Sequence, residues 1–236
     1  LHPGYFGGHW SGPAAALLAL LAGTAAGALN GLAIALWRVP AFVVTLAMMS
    51  AARGLARFLS ANESISIEAP EASSALFTFI DKWSLPGLGM RFVVLLFLAS
   101  ALAMGLVLAR TRTGRHIYAL GGNEEAARLA GLATVRLKVL VYTLMGFFAG
   151  LAGLAHAAQN GQGAPTDGDT YELMAIAAVV IGGTSLSGGR GGILGTLVGT
   201  LIIGILGNIM GLRGISKELQ LILLGVIIVL AVKLPD

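Results

Sequence analysis

Residues 171–192 read YELMAIAAVVIGGTSLSGGRGG. An apolar segment too brief for a comfortable membrane span breaks into a loop built almost entirely of Gly, Ser and Thr. Whether that loop belongs to a soluble domain or to a chain embedded in lipid decides the fold.

Composition answers first. Of 236 residues, 56% are hydrophobic and 11% charged, against roughly 25% charged in soluble domains. Mean hydropathy is +0.86. One soluble core could not hide that much apolar surface, so the sequence specifies an integral membrane protein. The apolar residues run continuously instead of alternating, which selects an all-α polytopic helical bundle over a barrel. The 34 Gly residues suit close helix packing in lipid. Cys is absent, which excludes disulfides and thiolate chemistry. The net charge of +4 reflects loop asymmetry and needs no nucleic acid. Residues 1–12 hold no basic stretch followed by an apolar core, so no signal peptide is expected there.

Runs of about 20 apolar residues fall near 13–37, 40–60, 91–109, 136–158 and 192–212, with shorter ones near 172–185 and 215–234. Pro40 separates the first two into a tight hairpin with Arg38 at its turn. The loop after 91–109 carries Arg110, Arg112, Arg115, Arg128, Arg136 and Lys138 against Glu124 and Glu125. Loop 61–90 carries Glu63, Glu68, Glu71 and Asp81 against Lys82. The positive-inside rule therefore puts 110–138 in the cytoplasm and 61–90 outside. If each candidate crosses once, there are about seven spans including the short one, with the N-terminus out and the C-terminus in. Arg38, Arg190 and Lys233 then lie inside, and Arg213 and Lys217 are the exceptions. Gly23, Gly27 and Gly31 share one helix face, as do Gly146 with Gly150, Gly195 with Gly199, and Gly207 with Gly211; close packing within one subunit is expected of them.

Catalysis finds little support. His2, His9, His116 and His156 have no metal-ligand spacing, and no Ser sits in a G-x-S-x-G turn. No cofactor and no metal are expected. The string Leu186-Ser187-Gly188-Gly189-Arg190 has the wording of an ABC-type ATPase signature, yet the chain contains no G-x-x-x-x-G-K-[ST] to cradle phosphates. A half-length helix ending in Gly-Gly-Thr-Ser can instead carry polar backbone into the membrane where protein or a wet cavity surrounds it. Thr184, Ser185 and Ser187 would supply hydroxyls and the glycines close approach; a plain cytoplasmic turn is the simpler alternative. Asn30, a polar amide in the first run, is expected to bond across helices. Arg53 and Arg57 lie one turn apart; they snorkel to the outer interface, or one lines a hydrophilic path.

The cytoplasmic segment 121–136, GGNEEAARLAGLATVR, reads as a short tethered helix. Asn123 is its expected N-cap, Glu124 and Glu125 favour its positive end, and Gly131 can terminate its first section. Ala126, Ala127, Leu129, Ala130 and Leu132 give it a small apolar face. Such an element suits a groove on a soluble partner, or else the lipid interface.

VPAFVVTLAMMSAARG (39–54), GGNEEAARLAG (121–131) and YELMAIAAVVIGGTSLSGGRGGILGTLVG (171–199) together resemble the membrane permease subunit of bacterial ABC importers for monosaccharides, of the ribose, xylose and galactose type. The resemblance covers essentially the whole chain. It implies one transmembrane permease domain over 1–236 in the bacterial inner membrane, with a second permease subunit, ATP-binding subunits below and a periplasmic sugar-binding protein above. It implies that Glu124, Glu125, Ala126, Ala127 and Gly131 form the ATPase-coupling segment. It places Gly182, Gly183, Thr184 and Ser187 at or near the translocation path, for which Asn30, Thr45 and Arg53 are the further candidates. Family members carry additional hydrophobic segments ahead of the point matching residue 1, so two or three spans are expected to be missing here. The resemblance assigns this chain transport and leaves ATP hydrolysis to another. A branched-chain amino acid permease is the near alternative, and TSLSGGRG favours sugars. A secondary transporter would need intramembrane acids, for which Glu172 is the nearby candidate.

Overall fold

The computed structural model describes residues 11–67, 71–87 and 89–233. In chain order the elements are α1 Gly12–Trp37, α2 Ala41–Leu59, β1 Ile65–Ser66, α3 Glu71–Lys82, α4 Phe92–Arg110, α5 Arg112–Gly122, α6 Glu124–Leu129, α7 Thr134–Asn160, β2 Gln162–Gly163, α8 Tyr171–Ile181, α9 Ile193–Leu212 and α10 Lys217–Lys233. The chain is an all-α polytopic membrane protein. Five helices, α1, α2, α4, α7 and α9, are long and apolar enough to cross a membrane. Large apolar side chains such as Leu36, Leu55, Leu102 and Leu201 stand more than half exposed along them, as lipid-facing residues do. The short helix α8 has 11 residues and covers about 16 Å at 1.5 Å per residue, half the hydrocarbon thickness.

The chain divides into two compact units, Leu1–Phe97 with Ala133–Asp167, and Leu98–Leu132 with Gly168–Asp236. The first is organised by an antiparallel seam between α1 and α7. A Cβ on Gly23 would lie 2.6 Å from the Gly146 carbonyl oxygen, one on Gly27 2.9 Å from the Gly146 Cα, and one on Gly31 2.8 Å from the Val139 Cα. Only glycine permits that approach, and the gain is backbone dispersion contact over several turns. Arg38 at φ +55 closes α1, and Pro40 caps α2 after it. The expected turn is there, but α2 buries no residue and touches α1 only lightly, so the pair is looser than the tight hairpin the sequence suggests. At the other end of α7, β1 pairs antiparallel with β2, Ile65 opposite Gly163, and the Ile67 amide donates to the Gly161 carbonyl at 2.9 Å. The acidic loop thus meets the C-terminal end of α7. That loop is more than a loop: it contains α3, whose Phe79 packs with Trp83 and Phe92 at centroid distances of 5.7 and 5.3 Å.

In the second unit α8 and α9 repeat the glycine device. A Cβ on Gly182 would fall 2.5 Å from the Gly195 carbonyl carbon, and one on Gly199 2.9 Å from that of Ala178. Gly207 and Gly211 break the expected pattern, since nothing among the described residues lies within 4 Å of a Cβ built on either. Identical spacing serves an internal seam at one end of α9 and an open face at the other.

Candidate functional site

α5 follows α4 after one residue, Thr111, whose Oγ1 accepts the Gly114 amide at 3.1 Å as an N-cap. Asn123 then closes α5 and opens α6 at once. Its extended backbone (φ −158) breaks the helix, and its Oδ1 accepts the Ala126 amide at 2.9 Å. Glu124 and Glu125 occupy the first turn of α6, where the free amides favour negative charge. Glu125 lies 3.7 Å from Arg128, both largely exposed, a pair worth little in water. Gly131 sits at φ +82, its amide donating to Arg128 and that of Leu132 to Ala127. Those two bonds form a Schellman motif at the C-terminus of α6.

α6 is thus a six-residue helix capped at both ends. Leu129 is 81% exposed and Ala127 5%. The single apolar face expected from the sequence is therefore two faces: Ala127 is buried, while Ala126, Leu129 and Ala130 point outward. Of the coupling candidates, Glu124, Glu125 and Ala126 are exposed. Ala127 and Gly131 hold the helix in shape.

The glycine-rich loop is also a built structure. α8 ends in a second Schellman motif, with Gly183 at φ +79, its amide donating to Val180 and that of Thr184 to Val179. The loop closes on itself: the Ser185 amide donates to the Arg190 carbonyl at 3.1 Å, and the Gly188 amide to Ser185 at 3.2 Å. The hydroxyls of Ser185 and Ser187 bond to each other at 2.8 Å. Thr184 fills the space over Gly191, where a Cβ would lie 2.6 Å from its side chain.

This loop packs on the end of α5. A Cβ on Gly121 would lie 2.8 Å from the Gly189 nitrogen, and one on Gly189 2.8 Å from the Gly122 Cα. The Tyr118 hydroxyl donates to the Gly191 carbonyl at 2.8 Å. Charge asymmetry assigns Arg190 and the basic segment to one side of the membrane, and here they are neighbours. Sequence reading misses α5 and Tyr118; the available signal is a Thr N-cap, an aromatic residue and a terminal Gly pair within one basic stretch.

The remaining path candidates, Asn30, Thr45 and Arg53, belong to the first unit. Thr45 on α2 donates to the Ala41 carbonyl at 3.0 Å and the Phe42 carbonyl at 3.1 Å, so its hydroxyl serves its own helix. Arg53 is half-buried on the same helix. Among the described residues the Asn30 Oδ1 is buried and has no hydrogen-bond partner, so the cross-helix bond expected of Asn30 is not seen at that oxygen. A polar group the sequence does not flag closes α7, where the Asn160 amide meets His156 at 2.9 Å and His156 stands 3.8 Å from Asp167.

A family model described as the permease component of branched-chain amino acid transport systems matches residues 5–232. The ribose import permease protein RbsC of Escherichia coli K12 is 44% identical over 216 residues, covering 91% of this chain and 66% of that protein. RbsC of Bacillus subtilis is 39% identical over 87% of this chain and 62% of its own length. The L-arabinose ABC transporter permease protein AraH of Azospirillum brasilense is 38% identical over 90% of this chain and 61% of its own length. The chain therefore spans a little under two thirds of these curated relatives. No solved structure matches it. Five span-capable helices and permease relatives make it a multi-pass inner-membrane protein. With the family match running over nearly its entire length, the chain belongs to the permease family of the branched-chain amino acid transport systems.

Proposed function

We propose that this chain forms most of a permease subunit that imports a monosaccharide, driven by ATP hydrolysis on a separate ATP-binding subunit. The observation that carries the reading is α6: a short helix capped at both ends, presenting two carboxylates and an 81% exposed Leu129 on the side the charge rule makes cytoplasmic. A leucine that open to water on so well-fixed a helix suits a partner's groove. ABC importer permeases for ribose and arabinose among its relatives supply the substrate class. A branched-chain amino acid substrate is the weaker reading, since the relatives named above carry sugar names.

In this reading a second permease subunit completes the pathway and a periplasmic sugar-binding protein delivers the sugar. The chain makes and breaks no covalent bond. Glu124, Glu125 and Ala126 meet the ATPase, Gly131 holds that surface in shape, and Asn30 and Arg53 are candidates for lining the path. The test is uptake in proteoliposomes holding the full-length protein with its co-purifying subunits. D-Ribose or L-arabinose should accumulate only with ATP inside. Uptake of leucine in preference to either sugar, or sugar uptake indifferent to ATP, would defeat the proposal.

A further inference from the structure

In the second unit a close backbone approach joins the end of α5, next to α6, to the glycine-rich loop. Gly121 and Gly122 end α5, and one residue, Asn123, separates them from α6. Across from them, Gly188 and Gly189 sit at φ +91 and +73, and a Cβ on Gly188 would meet the Gly121 carbonyl carbon at 3.0 Å. Backbone therefore touches backbone, with no side chain between to give way. The loop that makes this contact has little slack, being closed by its own hydrogen bonds, tied to α8 through Gly183 and followed at once by α9.

We propose that Gly121 and Tyr118 are positioning residues that bind the coupling segment to α8 and α9, so that the three move as one body. The glycine-rich loop then transmits displacement of α6 and does not line the sugar's path. The Tyr118 hydroxyl fixes the register of the contact through its 2.8 Å bond to the Gly191 carbonyl, and the glycines set its distance. This rests on α6 being the ATPase-docking element.

Gly121→Ala is the sharp variant. Gly121 lies in helical conformation, where alanine is favoured, so the added methyl group opposes only the contact with Gly189. Gly122→Ala is the control, since its Cβ would stand 4.0 Å from the Gly189 Cα, an ordinary contact. The full-length protein, reconstituted with its co-purifying ATP-binding subunit, is assayed for D-ribose uptake per ATP hydrolysed. Gly121→Ala should keep the subunit bound and hydrolysis within about twofold, while uptake per ATP falls about tenfold or more. Tyr118→Phe should lower it about two- to fivefold through loss of one exposed hydrogen bond, and Gly122→Ala should match the wild type. Wild-type coupling in Gly121→Ala, equal loss in both glycine variants, or release of the subunit would each overturn the link. Amide hydrogen exchange of residues 183–191, measured without any partner, is an independent readout: at least about fivefold faster in Gly121→Ala, against no change if the contact does not hold the loop. Failure of the wild type to transport sugar would end the transport reading and leave that exchange result standing.

Discussion

Gly131→Ala tests whether the shape of α6 rests on the glycine that follows it. α6 has six residues and a length of about 9 Å, far below what an isolated helix needs to persist in water. It is held by the Asn123 cap and the Schellman bonds of Gly131 and Leu132. At φ +82 an alanine loses about 1–2 kcal/mol to the left-handed conformation. Nothing lies within 4 Å of the added Cβ, so the cost is conformational and no clash contributes. At about 1.4 kcal/mol per factor of ten, the open form of the helix becomes about 5- to 30-fold more populated. Hydrogen exchange of the peptide covering 126–132 should accelerate by that factor, and peptides from α9 should not change. Gly131→Asn should recover part of the protection, because asparagine tolerates this region best after glycine. Unchanged exchange in the alanine variant, or an asparagine variant worse than alanine, would refute the motif as the source of α6 stability.

Other expectations follow from the same geometry. Leu129→Ser, at a side chain 81% exposed, should leave membrane insertion intact and weaken capture of the ATP-binding subunit about tenfold in pull-down titrations. Gly27→Ala should push α1 from α7, since its Cβ would come within 2.9 Å of the Gly146 Cα; a cost of about 1–3 kcal/mol should appear as a lower unfolding midpoint in detergent, with Gly207→Ala as a near-neutral control. Asn30→Leu removes a buried carbonyl oxygen that has no partner among the described residues, so stability should hold or rise by about 1–3 kcal/mol. A stability loss of that size would mean Asn30 is bonded after all, and a transport defect with unchanged stability would support a place on the path.

How far the sequence foretells this structure depends on what each signal measures. Glycines four apart announce a narrow helix face, and for Gly23, Gly27 and Gly31 the partner is another such face, on α7. The same spacing at Gly207 and Gly211 leads to open space, because periodicity describes one surface and says nothing of what covers it. Charge asymmetry groups Arg190 with the basic segment, and in the structure the neighbouring Gly189 packs on Gly121 and Gly122 of α5. It also hides α3 and α5, whose polar residues read as loop although their turns are helical. Composition puts Ala127 and Leu129 on one apolar face, yet at about 100° per residue they lie about 160° apart around the helix. Helical geometry alone separates the buried alanine from the exposed leucine.

The ATPase-like string shows why glycine patterns mislead when read as chemistry. A phosphate loop uses glycine so that backbone amides can point at an anion. Here the amides of Thr184, Ser185 and Gly188 are turned inward to carbonyls of their own segment. What the glycines provide is room for a second backbone, and that sorts them physically. Gly188 and Gly189 need both positive φ and bare Cα atoms, so asparagine, which meets the first demand, still fails the second. Gly183 needs only its φ of +79, with nothing within 4 Å, and should accept asparagine. Gly192, extended at φ −167 with open space around it, should accept alanine. A phosphate-binding role would rank these positions by the amides they present; a packing role ranks them by Cβ clearance, and the two orders differ at Gly183 and Gly192.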